Sequence, residues 1–185
     1  MNKKIFQITS TTSNSECWEL WKLASCIPPE SVLVEIGTGA GRTTAILADA
    51  VAGKGSIVYT VDNYSCVEKY GEYGWDAEVA KKNLLKLDLH GHTRFLIGES
   101  AEVAKAFVLE IDFLFIDGPH SYKGVCIDMD SWCPKVRKGG IISGHDFNPN
   151  CSDGRNVIKA IFDKLILNPT NQRLDVRERI WWLVK

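Results

Sequence analysis

The sequence predicts a doubly wound α/β fold, in which helices cover both faces of a mostly parallel sheet. Short apolar runs rich in β-branched or aromatic residues alternate along the chain with segments of helical periodicity. A strand, a helix and a second strand pair in parallel through a right-handed crossover, so this repeated order builds a parallel sheet between two helical layers. The 185 residues, 45% of them hydrophobic, predict one domain over residues 1–185 with its own core.

Each predicted element follows from its local pattern. Five apolar runs are the predicted parallel strands, at residues 31–36, 56–61, 94–97, 113–116 and 140–143. Helical spacing predicts helices after the first four strands, at residues 43–51, 76–87, 100–108 and 122–132, and a last helix at 157–165. The tail 173–185 predicts an antiparallel hairpin, with its second strand at 180–184, that closes one sheet edge. The result is a Rossmann-like sheet of about seven strands.

The first 30 residues differ from this alternation and predict a helical extension. Ser13 and Glu16 form a capping-box pattern that begins a helix, and the consecutive prolines Pro28 and Pro29 end it. We expect this helix to cover either the sheet or the mouth of a site.

Composition and charge exclude several classes of protein. The formal net charge is −1, from 22 basic and 23 acidic side chains, which argues against a nucleic-acid partner. No apolar run approaches the ~20 residues of a membrane helix, so we expect no membrane partner. The six cysteines form no Cys-x-x-Cys pair and the N-terminus has no long apolar export segment, which predicts reduced thiols and a cytoplasmic location. A monomer and a homo-oligomer both stay open.

A glycine-rich loop directly follows the first strand and precedes a helix. In an open parallel sheet this turn is where a ligand meets backbone amides and a helix N-terminus. The candidate ligand-binding residues of the loop are Gly37, Thr38, Gly39 and Gly41.

Two familiar phosphate sites fit this loop poorly. A P-loop needs a glycine where Ile36 stands and a lysine where Arg42 stands, so we reject it. A dinucleotide fingerprint would place Arg42 at its third glycine, where a bulky side chain obstructs helix packing and crowds a pyrophosphate. This second reading is disfavoured but stays open.

Acidic residues at the ends of the first two strands favour a ligand with an amino-acid portion. Glu35 can lie near an ammonium group, while the glycines of the loop let the backbone approach the ligand. Asp62, with Asn63 beside it, ends the second strand 27 residues after Glu35 and is placed for ribose hydroxyls. The combination is far more specific than a glycine-rich loop alone.

A second group of polar residues follows the fourth and fifth strands. Asp117 and His120 come after one strand, and His145 and Asp146 follow the next. Because the carboxyl ends of parallel strands share one edge of the sheet, these side chains are expected to converge there. Carboxylates and imidazoles together indicate metal binding, general-base catalysis or both.

With these motifs, the sequence resembles the class I S-adenosylmethionine-dependent methyltransferases over about residues 32–162. Its second half is similar to methyltransferase family 24, to macrolide-sugar O-methyltransferases and cephalosporin-hydroxylase-like proteins, and more distantly to catechol-type enzymes. The resemblance implies S-adenosylmethionine as cofactor, with Glu99 and Ser100 against the adenine and Asp117 at the border of the cofactor site.

The resemblance also implies how the second polar group works. Asp117 and Asp146 would ligate a divalent cation, usually Mg²⁺, and His120 would act as base on the acceptor hydroxyl. His145 stands where metal-using relatives usually have a carboxylate, and an imidazole suits Mn²⁺ better than Mg²⁺. A metal set of Asp117, His145 and Asp146, and a metal-free enzyme with His120 or His145 as base, both stay open.

The expected activity is methyl transfer to the hydroxyl of a small-molecule acceptor, a sugar or another natural product. Two alternatives stay open: a methyltransferase-like binding protein without turnover, and a less favoured NAD-dependent oxidoreductase. Residues 64–75, rich in aromatic residues and glycine, predict either a lid over a ring-bearing substrate or a loop anchored on its own domain.

Overall fold

The structure is a computed structural model that describes residues 1–65, 75–166 and 173–185. Most of the predicted lid, at residues 66–74, lies outside the described residues, so neither reading of that loop is tested. The described strands are β1 (Val32–Ile36), β2 (Ile57–Asp62), β3 (Thr93–Ile97), β4 (Ile111–Ile116), β5 (Val136–Gly144), β6 (Asp175–Arg177) and β7 (Ile180–Val184).

Helices precede or connect most of these strands. They are α1 (Asn14–Ser25), α2 (Arg42–Val51), α3 (Ala77–Lys86), α4 (Ser100–Ala106), α5 (Tyr122–Trp132) and α6 (Ser152–Ile161). Short 3₁₀ helices lie at Lys3–Gln7, His90–His92 and Cys133–Lys135, and a π-helical turn at Phe162–Ile166 continues α6. Within the described ranges, no helix is long and apolar enough to cross a lipid bilayer.

The strands form one sheet in the order β3-β2-β1-β4-β5-β7-β6. Strand β1 pairs in parallel with β2 and β4, and β4 pairs in parallel with β5. Strand β7 runs antiparallel to both β5 and β6, as the predicted terminal hairpin requires. The predicted doubly wound, mostly parallel sheet is therefore confirmed.

The two faces of the sheet bury two separate hydrophobic clusters. Successive residues of a strand point to opposite faces, so Leu33 packs into the cluster that contains Leu20 of α1 and Leu47 of α2. Its neighbour Val34 packs into the other cluster, with Met129 of α5. Strand β1 is thus apolar on both faces, which is typical of a central parallel strand.

Strand β5 begins four residues earlier than the sequence predicts. Its pairing with β4 shifts register between Ile111 and Phe113, which leaves the polar residues after Val136 out of the regular ladder. The side chain of Arg137 donates from Nε to Asp112 Oδ1 over 2.5 Å. Because the irregularity places charged residues inside the strand, its first half is not an apolar run and is not predicted from the sequence.

The order in which strands are added to the sheet reverses at β1: β2 and β3 lie on one side of it, and β4 and β5 lie on the other. Open α/β sheets bind ligands at the carboxyl ends of such a pair of strands. Here the two following loops touch: a Cβ on Gly37, whose φ is +96°, would lie 2.1 Å from the backbone oxygen of Asp117. Only glycine permits this approach, which brings the glycine-rich loop beside the loop that contains His120.

Candidate active site

The glycine-rich loop is shaped by its neighbours as well as by its own backbone. Gly41 is the N-cap of α2 with a φ of +85°, and a Cβ there would lie 2.9 Å from a methyl group of Leu84 in α3. The indole of Trp75 covers the middle of the loop, 3.6 Å from where a Cβ of Gly39 would be. Leu84 and Trp75 therefore pack directly against the backbone of the loop.

Asp62 closes this loop from the end of β2. Its Oδ2 accepts hydrogen bonds from the backbone amides of Thr38, at 2.9 Å, and Gly39, at 3.1 Å. Its Oδ1 accepts from the amide of Tyr64 at 2.7 Å. The structure therefore places Asp62 at the end of β2 against the loop, and gives it a structural role there that the sequence does not reveal.

Glu35 is fully buried at the start of the loop, and only one of its two carboxyl oxygens accepts hydrogen bonds from the described residues. Its Oε2 accepts hydrogen bonds from the hydroxyl groups of Thr44 and, at 2.6 Å, Thr60. Its Oε1 is buried and has no hydrogen-bond partner among the described residues. Burial raises the pKa of Glu35 to about 7, against an ordinary value of 4.5. A cationic ligand group beside Oε1 would favour the ionised form of this carboxyl group.

Glu99 and Ser100, the two residues expected to lie against the adenine, are in different environments. Glu99 is reached by Asn63, whose Nδ2 donates to Glu99 Oε1 over 2.6 Å at the exposed ends of β2 and β3. Ser100 is turned toward α5, where its Oγ accepts from Trp132 Nε1 at 2.9 Å. A buried carboxylate beside it, Asp128, has an Oδ2 without a hydrogen-bond partner in the described ranges, and burial raises its pKa to about 6.

Four residues from β4–α5 and the end of β5 converge, as the sequence predicts. His120 Nε2 lies 2.9 Å from Asp146 Oδ2 and 3.7 Å from Asp117 Oδ1. His145 Nδ1 lies 3.5 Å from Asp117 Oδ1 and 3.4 Å from Asp146 Oδ2. The side chain of His120 is 39% exposed and that of His145 is 2% exposed, so only His120 faces incoming molecules.

Charge pairing outweighs burial in this group. Burial acts to raise the pKa values of Asp117 and Asp146, but the two imidazoles hold both below the usual range. The hydrogen bonds to Asp117 and Asp146 raise the pKa of His120 to about 10. Burial lowers the pKa of His145, yet the same carboxylates bring it well above the ordinary value. The carboxylates therefore favour the protonated form of both imidazoles.

The same residues suit a divalent cation. Among the described residues, Asp117, His120 and Asp146 each offer one ligand atom, and these atoms all lie within 4.8 Å of one another. His145 is not part of this set and is nearly inaccessible between the carboxylates. His120 and His145 both lie beside the two aspartates, and the predicted metal set of Asp117, His145 and Asp146 stays a prediction.

The family of the chain follows from a comparison that covers this whole region. The model of methyltransferase family 24, described as a methyltransferase domain, matches residues 34–147, more than half of the chain. The chain belongs to this methyltransferase family. The match runs from the strand that precedes the glycine-rich loop to the residue after Asp146 and confirms the resemblance seen in the sequence.

Solved structures share the fold of this methyltransferase at low sequence identity. An O-methyltransferase from Bacillus cereus in complex with SAH has 16% identity and a TM-score of 0.73, over 99% of this chain and 90% of its own. The SAH-bound methyltransferase PaMTH1 of Podospora anserina has 14% identity and a TM-score of 0.75, over 100% and 88%. The O-methyltransferase NovP has 14% identity and a TM-score of 0.73, over 96% and 82%.

Two further residues contact the charged cluster and were not predicted as site residues from the sequence. Glu16 of α1 is 2% exposed, and its Oε2 lies 3.4 Å from His145 Nε2. Arg179, in the turn between β6 and β7, donates to both carboxylate oxygens of Glu16, and its Nη1 lies 3.4 Å from Asp146 Oδ1. The capping box at Ser13 is the only sequence signal at Glu16, and it accounts for a helix start, not for a site.

Replacing Glu35 with glutamine should change how the stability of the methyltransferase depends on pH. Between pH 4.5 and about 7 the folded wild type holds a proton on Glu35 that the unfolded chain has lost. Its contribution therefore makes wild-type stability fall as pH rises through this window. Glu35→Gln removes that contribution, so its unfolding free energy relative to wild type should rise by up to about 1.4 kcal/mol per pH unit.

Urea denaturation at several pH values across this window measures the effect. Glu102→Gln is the matched control, because Glu102 is an exposed helical glutamate that pairs with the neighbouring Lys105. Its curve should run parallel to that of the wild type. A Glu35→Gln curve that is equally parallel would contradict a protonated, buried Glu35.

Proposed function

We propose that this methyltransferase transfers the methyl group of S-adenosylmethionine to a hydroxyl oxygen of a small molecule. The observation that carries the proposal is the contact between Gly37 and Asp117, which joins a loop suited to an amino-acid ligand with a cluster suited to proton transfer. The SAH bound in the Bacillus cereus and Podospora anserina enzymes of the same fold supports the choice of cofactor.

The cofactor would lie along the carboxyl edge of β1, β2 and β3. The unpartnered Oε1 of Glu35 is placed for the cofactor's ammonium group. Asp62 has lone pairs left for ribose hydroxyls after it has accepted the loop amides. Asn63 and Glu99, which are exposed and already bound to each other, would border the adenine.

The reaction is a displacement at carbon. The acceptor oxygen attacks the methyl carbon in line with the sulfur, the carbon–sulfur bond breaks, and S-adenosylhomocysteine leaves with the electron pair. The sulfonium supplies the driving force, so the protein has mainly to align the two reactants and take up the hydroxyl proton. The imidazole of His120 is the proton acceptor in this scheme, because its side chain is 39% exposed whereas that of His145 is 2% exposed.

A divalent cation fits the two carboxylates beside His120. Asp117 and Asp146 would hold it, and when bound it would lower the pKa of the acceptor hydroxyl and neutralise the carboxylates. His120 must be neutral to accept a proton, but in the absence of a cation the carboxylates raise its pKa to about 10. A cation that neutralised the carboxylates would weaken this effect. His145 is buried and cannot contact an acceptor, so we assign it a supporting role between Glu16 and the aspartates in place of the catalytic one that the sequence suggested.

Titration calorimetry should show that the protein binds S-adenosylhomocysteine and not NAD. Asp62→Asn should weaken binding about tenfold, because an amide offers one acceptor oxygen in place of two. Asp88→Asn is the control, since the Asp88 side chain is 99% exposed and distant from the loop in sequence. Binding of NAD together with a failure to bind S-adenosylhomocysteine or S-adenosylmethionine would overturn the proposed cofactor.

Methyl transfer from labelled S-adenosylmethionine to a panel of small hydroxyl compounds tests the chemistry. His120→Gln should lower kcat about 10²- to 10⁴-fold, the usual size of general-base catalysis, with little change in cofactor affinity. Activity should fall on chelation and return with Mn²⁺, and Asp146→Asn should abolish this recovery. Full turnover in His120→Gln would contradict its role, and cofactor binding with no turnover on any compound would favour a binding protein.

A further inference from the structure

Arg42 carries a buried positive charge that no protein carboxylate neutralises in the described part of the chain. The residue is 8% exposed. Its Nη2 donates to the side-chain oxygen of Asn14, and its guanidinium carbon lies 5.3 Å from the centre of the Phe6 ring. Its Nε is buried and has no acceptor among the described residues. A guanidinium cannot lose its charge by deprotonation, so this arrangement is costly unless an anion joins it.

The position of Arg42 strengthens the need for an anion. Arg42 is the first residue of α2, a helix of 10 residues that has no acidic residue in its first turn and no side-chain cap at Gly41. A cation at a helix N-terminus is unfavourable by itself, because the helix dipole and the free amides there favour negative charge. An anion at this place would satisfy the guanidinium and the helix end together.

A buried acidic residue lies at the other end of the glycine-rich loop in the sequence. Glu35 precedes the loop, is tied to the first turn of α2 through Thr44, and has one buried oxygen without a partner among the described residues. The loop is thus flanked by an acidic and a basic residue that each have one buried polar atom without a described partner. This pattern is complementary to a zwitterion, whose ammonium and carboxylate groups are joined by one carbon.

We propose that Arg42 binds the α-carboxylate of the amino-acid portion of the ligand held by the glycine-rich loop. The inference rests on the proposed function, in which that ligand is S-adenosylmethionine. The guanidinium would bind the carboxylate through Nε and a second N–H, the paired geometry that arginine forms with carboxylates. Arg42, whose bulk argues against a dinucleotide-binding loop, would thus determine specificity for an amino-acid ligand.

Two ligands that differ only in the carboxylate test this assignment. S-adenosylmethionine and decarboxylated S-adenosylmethionine share the adenosyl group, the sulfonium and the amine. The wild type should bind the first about 10- to 100-fold more tightly, as expected for a charged hydrogen-bonded pair. Arg42→Met should lose this preference: affinity for S-adenosylmethionine should fall about 10- to 100-fold, while affinity for the decarboxylated ligand stays within about twofold.

Two further variants separate recognition from folding. Arg94→Met is the matched control, because Arg94 is exposed on β3 and bonds only to nearby backbone oxygens; it should keep the wild-type preference. Arg42→Lys retains the charge without the planar fork, so it should fold even if Arg42→Met does not, and should show a reduced preference.

The outcomes are distinguishable. Equal weakening of both ligands by Arg42→Met and Arg42→Lys would assign Arg42 a structural role and overturn the inference, as would an unchanged preference in both variants. NAD is titrated in parallel, and tight binding of NAD that Arg42→Met abolishes would assign Arg42 to a phosphate instead. A wild type that binds neither adenosyl ligand would overturn the proposed cofactor as well, whereas equal weakening of both ligands or an unchanged preference in the Arg42 variants leaves that proposal intact.

Discussion

The site depends on one close approach between two backbones. Gly37 and the carbonyl of Asp117 meet at the carboxyl ends of β1 and β4, at a separation that no side chain at position 37 allows. The glycine-rich loop with its flanking charges begins on one side of this contact, and the segment that leads to His120 begins on the other. A donor and an acceptor of a methyl group must meet within bonding distance, and neighbouring parallel strands supply that proximity without an added domain.

The two ends of the chain complete the charged cluster. Glu16 comes from the first helix and Arg179 from the last hairpin, and Arg179 contacts both Glu16 and Asp146. Buried charges stabilise a protein only when their partners are all present, because a lone buried charge keeps its full desolvation cost. The segments outside the matched family region therefore act on the site: they fix His145 from behind and leave His120 facing outward.

The sequence allowed the fold and the edge of the sheet to be predicted, because both follow from local patterns. Helix α5 has the predicted bounds, and Asp117 and Asp146 converge since they follow adjacent parallel strands. Partners that meet only through tertiary packing left no such pattern. Glu16 contacts Arg179, which lies 163 positions away in the sequence, and also His145. In the sequence, the capping box of α1 already explains why a glutamate stands at position 16. The first half of β5 was hidden for a different reason, its register shift against β4.

We propose that methyl donor and proton acceptor meet over the contact of Gly37 with Asp117. A crystal structure of the protein with S-adenosylhomocysteine tests this arrangement most directly. We expect the sulfur to lie over this contact and to face His120, with space for an acceptor oxygen about 3 to 3.5 Å from the position of the transferred methyl group. A ligand bound away from the carboxyl end of β1, or a sulfur that faces away from His120, would contradict this arrangement.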